Sequence, residues 1–314
     1  MKGIEIAEKF YEEYGRQMIH EKFPELECLV AIGFTGAGSE CFGYDDEISR
    51  DHDFEPGFCI FLPGEDVIDS RTAFRLERAY AALPKEFCGV ERLKINPVGG
   101  NRHGVIRTAD FFTRLIGTPD GIHDNNQWFS VPSHYLAEAT NGKIFRDDYG
   151  EFTAIRNSLI DMPEDVRFKK LASHLVLMGQ SGLYNYHRCI AHGETAAAQL
   201  AMDEFVRHTL VTAFLINGRH MPFYKWSFRA LQELELLSEI ASSLEILLTT
   251  GNTTEMARDK TAIIDEVSSA IISALRVSGI SDAKAGDLGS HAYAVNDRIK
   301  DASLRNAGIL FAAE

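Results

Sequence analysis

Apolar positions change their period along this chain, and the change divides it. Between residues 4 and 22, Ala7, Phe10, Tyr11, Tyr14 and Met18 recur at helical spacing with Pro24 just past the end, which predicts an amphipathic helix. The next run, Cys28-Leu29-Val30-Ala31-Ile32-Gly33-Phe34, is short and unbroken and gives way to Gly36 and Gly38. That pattern predicts a buried strand ending in a tight turn. Further strands are predicted at Phe58 to Leu62 and around Gly104 to Thr108, the latter leading into Phe111-Phe112. From about Glu164 onward, Gly and Pro thin out and helical stripes dominate. One stripe is Met202, Phe205, Val206, Leu210 and Phe214; a second is Leu231, Leu234, Leu237, Ile240, Leu244 and Leu247. A third, Ile263, Ile264, Val267, Ile271, Ala274 and Leu275, stops at Gly279. Several stripes with short connections predict a bundle. The expected fold class is therefore α+β: a small mixed sheet with helices over residues 1–160, then an α-helical bundle domain over 161–314.

Length and composition agree with two folded domains: 314 residues, 45% hydrophobic and 25% charged. The net charge of -14 lacks the basic stripe that nucleic acids require and leaves small molecules and proteins as expected partners. Five scattered cysteines (Cys28, Cys41, Cys59, Cys88, Cys189) form no Cys-x-x-Cys pair, as in a reducing compartment. Residues 1–15 carry acids where a signal peptide needs an apolar core, and no apolar run is long enough to span a bilayer. A cytoplasmic protein without a membrane partner is the expectation.

Candidate chemistry gathers just after the first strand. Gly38-Ser39 ends a strand and opens a helix, where backbone N–H groups and a hydroxyl can cradle phosphate. Six carboxylates follow between Asp45 and Glu55: Asp45, Asp46, Glu47, Asp51, Asp53 and Glu55. A solvated acidic loop is the ordinary reading of such a run. Asp51-His52-Asp53, however, leads toward an apolar strand, and residues two apart on a strand share a face. Asp51 and Asp53 would then converge, an arrangement that a divalent cation neutralises.

Strand, Gly-Ser, short spacer and Asp-x-Asp in this order resemble the signature of the DNA polymerase β-like nucleotidyltransferase superfamily. More closely, Gly38-Ser39-Glu40, Asp45-Asp46-Glu47 and Ser49-Arg50-Asp51-His52-Asp53 resemble a bacterial branch of it defined only as a domain of unknown function. Gly142 to Asp147, Phe152 to Arg156, Tyr184-Asn185 with Arg188, and Pro222-Phe223-Tyr224-Lys225-Trp226 extend the resemblance over nearly the whole chain. It implies a nucleotidyltransferase core followed by a helical domain that closes over the nucleotide. It also implies two-metal transfer of a nucleoside monophosphate from a triphosphate, with ATP as the expected nucleotide, to a hydroxyl of a small molecule or protein. Asp51 and Asp53 map onto the first two ligands of Mg²⁺ or Mn²⁺.

The superfamily also has a third carboxylate on a later strand. His103 to Thr108 holds no acid; Asp110, two residues on, is the candidate, ahead of Asp147 and Asp148, which precede a turn-like Tyr149-Gly150. Gly38 and Ser39 are expected to bind nucleotide. Lys225 is expected to reach the β- and γ-phosphates, against the alternative of a surface lysine beside a tryptophan. Arg50 either clamps a phosphate or pairs with Asp45 or Glu47. Arg188 is expected to be structural. His187, Cys189 and His192 lack zinc-site spacing, and His52 should face away from the metals. Two functions follow: a metal-dependent nucleotidyltransferase, or a nucleotide-binding sensor or interaction protein that lost catalysis with the third acid. A partner-dependent toxin or antitoxin is a weaker third.

Overall fold

A computed structural model of the chain describes residues 1–48, 55–92 and 102–313. The chain divides into two compact units, Met1–Ile160 and Asp161–Glu314.

The first unit opens with α1 (Gly3–Phe10), which runs through a π-helical turn at Tyr11–Gly15 into α2 (Arg16–Lys22). The segment predicted over 4–22 is thus one helical rod with a widened middle turn. A π turn admits an extra residue, and here the adjacent Phe10 and Tyr11 are both buried. Then come β1 (Ala31–Phe34), α3 (Ser39–Phe42), β2 (Cys59–Leu62), α4 (Ser70–Ala81) and a short hairpin of β3 (Glu86–Phe87) and β4 (Val90–Glu91). β5 (Gly104–Arg107), α5 (Thr108–Ile116), α6 (Asn125–Ser130), α7 (Ser133–Thr140), β6 (Lys143–Asp147) and α8 (Glu151–Ser158) complete it.

The sheet order is β5-β2-β1-β6, with β1 antiparallel to both neighbours and β2 parallel to β5. Helices cover both faces, so β1 and β2 read as unbroken apolar runs without alternation. On one face Ile60 and Leu62, with Phe58 just ahead of β2, pack with Phe10, Tyr11, Leu76 and Tyr80. On the other, Phe61 meets Phe111 and Phe152 with ring centroids 5.2 and 4.1 Å away. Register decides which chain ends meet: Gly33 lies opposite Cys59, Cys59 opposite Gly104, and Phe34 opposite Lys143. The carboxyl end of β1 and the amino ends of β2, β5 and β6 therefore share one end of the sheet.

Among its described residues the second unit holds helices and no strand. α9 (Glu164–Met178) continues through a π-helical stretch, Gly179–Tyr186, into α10 (His187–Ala191). α11 (Thr195–Ile216), α12 (Tyr224–Leu231), α13 (Ala241–Thr249), α14 (Thr254–Val277), α15 (Leu288–Asp297) and α16 (Ala302–Asn306) follow. The predicted stripe from Met202 to Phe214 is buried on α11, and Ile264, Val267, Ile271 and Leu275 are buried on α14. A mixed sheet with helices followed by an all-helical unit makes the fold class α+β.

Inside this bundle His174 of α9 and His208 of α11 meet with their Nδ1 atoms 2.8 Å apart, both almost fully buried. One ring must donate and the other accept, so at least the accepting ring is neutral. Burial pushes both imidazoles below the usual range, although Glu204, 3.1 Å from His208 Nε2, opposes the shift. An unfolded histidine takes its proton near pH ~6.5, which these refuse, so the unfolded state gains protons as pH falls below that value. Stability is accordingly expected to be full above pH ~6.5 and to decline on acidification, by up to about 1.4 kcal/mol per pH unit for each such group. Urea unfolding at pH 7 and pH 5 checks this, with a shallower decline in His174→Gln. An equal midpoint at both values would show that the pair is not held neutral.

Candidate functional site

The turn closing β1 is built from two separate stretches of chain. Gly36 and Gly38 both have positive φ, 110° and 122°. Asn141, from the connection between α7 and β6, pairs with Gly36 much as a neighbouring strand would. Its Nδ2 donates to the Gly36 carbonyl at 2.8 Å and its Oδ1 accepts from the Gly36 N–H at 2.9 Å. Thr35 Oγ1 donates to the Asn141 carbonyl at 2.9 Å. The next residue, Gly142, donates its N–H to the Cys41 carbonyl of α3 at 2.9 Å. Arg156 of α8 in turn donates to the Thr140 carbonyl at 2.7 Å, holding the brace in place.

Gly38 precedes α3, whose first residue is Ser39. Over this glycine lies Arg102, two residues before β5. Its Nε and Nη2 donate to the Ala37 carbonyl at 3.2 and 2.9 Å, and Nη2 also to Glu40 Oε2 at 3.0 Å. A Cβ on residue 38 would sit 1.7 Å from that Nη2, so only glycine allows the guanidinium to lie there. Glu40 is 4% exposed, which makes this a largely desolvated ion pair; removing one partner of such a pair costs about 3–5 kcal/mol. Ser39 Oγ donates to the same Oε2 at 3.4 Å, the long limit of a hydrogen bond.

His103 follows Arg102 and packs against Phe34, with ring centroids 4.7 Å apart and planes tilted by 32°. Burial, reinforced by the charges of Arg102 and Arg92, pushes its imidazole down to about 3, and among the described residues neither ring nitrogen has a hydrogen-bond partner. Glu55 Oε1 lies 3.9 Å from its Nε2. Glu55 is thus the member of the acidic run that the described residues place beside the amino end of β5. Asp45 does other work: its carboxylate accepts the Gly3 N–H at 2.9 Å and lies 3.8 Å from Lys2 Nζ, anchoring the start of α1.

Arg50, Asp51, His52 and Asp53 lie outside the described residues. Asp110 is exposed in the first turn of α5, beyond the Arg107 end of β5, and makes no hydrogen bond or ion pair among the described residues. Its neighbour Phe111 is the one turned inward. Asp147 is occupied with its own turn, accepting the N–H groups of Gly150 and Thr153 at 2.8 Å each, and Asp148 pairs with Arg146. Lys225 is exposed on α12 with its ammonium 4.3 Å from the Trp226 ring centroid, and Arg188 lies over Tyr184. Among the described residues no group of three or more His, Cys, Asp or Glu is placed to hold a metal ion. No helix among them is long and apolar enough to cross a membrane.

Residues 128–227 match the family model of the Domain of unknown function (DUF4037). That span includes Asn141, Gly142, Arg156, Tyr184, Arg188 and Lys225, and excludes the glycine turn and the acidic run. Among solved structures, the chain is similar to a nucleotidyltransferase-like protein from Exiguobacterium sibiricum 255-15. The identity is 13% and the TM-score 0.35, over 87% of this chain and 76% of that one. At that distance no residue is carried across. No curated protein matches the sequence.

Arg102 and Asn141 escaped the sequence reading. Arg102 sits in a stretch with no apolar period, and Asn141 acts through main-chain contacts that leave no pattern of residue types. Glu40 was visible only as the third letter of Gly-Ser-Glu.

Proposed function

We propose that this protein is a metal-dependent nucleotidyltransferase that holds a nucleoside triphosphate at the Gly38-Ser39 turn. One observation carries the reading: a glycine turn at the end of β1 that is braced from outside, bears a guanidinium on its open face, and shares its end of the sheet with Glu55, two residues after Asp53. Phosphate oxygens suit a fixed set of backbone N–H groups, a serine hydroxyl and an arginine. The donor set of Asp51, Asp53 and the nearby Glu55 is all hard oxygen, which fits Mg²⁺ or Mn²⁺ and does not suit a softer metal. When bound, such cations neutralise the triphosphate and activate an acceptor hydroxyl. The chain's own part is to hold the phosphates against the turn and to keep the two aspartates on one face.

Incubation with labelled ATP, GTP, CTP and UTP, Mg²⁺ or Mn²⁺ and cell lysate tests the reading. Label should pass from one triphosphate to a protein or small-molecule acceptor. A second reading has its own observation: β5 is preceded by Arg102 and His103 and carries no acid where a third carboxylate belongs. Tight triphosphate binding with no transfer to any acceptor would favour that nucleotide-binding sensor.

Lys225 is part of the proposal as a phosphate ligand. Lys225→Met keeps the stem and removes the charge, so triphosphate affinity should fall by about 10- to 150-fold and monophosphate affinity by much less. Ser39→Ala, which removes a neutral donor, should cost about 1 kcal/mol. Titration calorimetry with both ligands decides; equal losses for mono- and triphosphate would reduce Lys225 to packing against Trp226.

A further inference from the structure

Glu40, Ser39 and Arg102 are joined at a single atom. Glu40 Oε2 accepts Arg102 Nη2 at 3.0 Å and Ser39 Oγ at 3.4 Å. Ser39 belongs to the turn where phosphate is proposed to bind and Arg102 lies over it, and both are directed at a carboxylate of this chain. The carboxylate is itself 5% exposed and so is fixed in place. Arg102 is also tied to the turn independently of Glu40, through two N–H groups on the Ala37 carbonyl. An incoming anion can therefore re-aim the outer part of the guanidinium without removing it from the glycine face.

We propose that Glu40 is an internal anion standing in for phosphate, and that a polyphosphate binds by taking Arg102 and Ser39 from it in competition. The proposal rests on the reading that the Gly38-Ser39 turn holds a polyphosphate. It makes Arg102 a phosphate ligand and Glu40 a negative determinant of affinity. A carboxylate accepts the same donors as a phosphate oxygen, and phosphate carries more charge with which to compete. In the absence of ligand, Glu40 pairs with the Arg102 guanidinium and helps hold the turn in shape. With ligand bound, its remaining charge repels the phosphate.

The two roles predict opposite signs. Binding of inorganic tripolyphosphate and of ATP is measured by calorimetry, in EDTA and again in Mg²⁺, with thermal unfolding of each variant as a check on folding. Arg102→Gln should weaken both ligands by about 10- to 150-fold, the loss of one charge-assisted contact. Glu40→Gln keeps shape and an acceptor oxygen while removing the charge, and should tighten both ligands by about tenfold. Glu40→Asp, which withdraws the carboxylate but keeps its charge, should fall between. In the wild-type protein the Arg102 Nε–H resonance, assigned by its absence in Arg102→Lys, should move on addition of tripolyphosphate. Glu40→Gln weakening binding in step with Arg102→Gln would overturn the competition and leave Glu40 as a support for the arginine. Unchanged affinity in both variants, with an immobile Arg102 resonance and binding that still depends on Ser39, would overturn the proposal and leave the nucleotide reading intact. Absence of any polyphosphate binding by the wild-type chain would remove both.

Discussion

In the Asp51→Asn, Asp53→Asn double variant, metal-dependent transfer of label from a nucleoside triphosphate is expected to fall roughly a thousandfold or more. Asparagine preserves the volume and one oxygen of each side chain, so the change is one of charge alone. Two neutral amides cannot offset a divalent cation, and the stabilisation such a cation gives at a reacting phosphoryl group is worth several kcal/mol, with each ~1.4 kcal/mol worth a factor of ten. The control separates the metal from the turn: tripolyphosphate binding in EDTA should persist in the double variant, since Ser39, Arg102 and the braced glycines are untouched. Retention of Mg²⁺-dependent transfer would remove the two aspartates from the metal site.

Gly142→Ala is expected to be among the most destabilising single substitutions in the first unit. Residue 142 has φ +67°, and a Cβ there would lie 2.1 Å from the Phe34 carbonyl oxygen and 2.8 Å from Thr35 Cα. Both neighbours are main chain, so no side-chain rotation relieves the clash and β1 must move away from β6. A left-handed conformation costs a non-glycine residue about 1–2 kcal/mol, and overpacking about 1–3 more, giving roughly 2–5 kcal/mol in all. Gly150→Ala is the matched control. Its φ is +81° with nothing within 4 Å of an added Cβ, so only the conformational part should appear. Urea unfolding of the two variants measures the difference. Equal losses would mean that the β1–β6 contact yields without cost. Phosphate binding in Gly142→Ala should weaken too, because the same shift pulls Asn141 from Gly36.

Burial on both faces explains why the sheet was readable. β1 and β2 announce themselves as short runs such as Cys59 to Leu62, where every residue is buried, while β5, at the edge, is buried only at Gly104. On α14 the buried residues recur at helical spacing, as Ile264, Val267, Ile271 and Leu275 do, whereas the stripe read from Leu231 to Leu247 is divided between the end of α12, a turn in which Leu237 has φ 73°, and α13. The π turn at Tyr11–Gly15 leaves no trace, because two adjacent buried aromatics fit a wide turn and an ordinary one alike. At the candidate site, the glycine turn could be seen because positive φ selects glycine. Its supports could not. Asn141 reaches Gly36 across a chain separation of 105 residues, and Arg102 reaches Glu40 across 62. Neither contact imposes a period or a spacing. Asp110 lies close in sequence to β5, and the helix that starts at Thr108 sets it, exposed, beyond the Arg107 end of the strand, whereas the glycine turn lies at the other end.

The distant origin of that brace has a consequence for biosynthesis. β1 and its glycines leave the ribosome early, whereas Asn141 and β6 follow about a hundred residues later, a delay of roughly 5–20 seconds at ordinary elongation rates of ~5–20 residues per second. β2 can cover one edge of β1 within that interval, but the other edge, with the Val30 to Phe34 segment, waits for β6. A nascent chain in this state exposes an unpaired apolar strand, the kind of surface that aggregates or recruits chaperones. The proposed nucleotide binding should therefore arise as a single late event, and chains arrested before residue 141 should lack it even with the whole Gly-Ser and Asp-x-Asp region already synthesised.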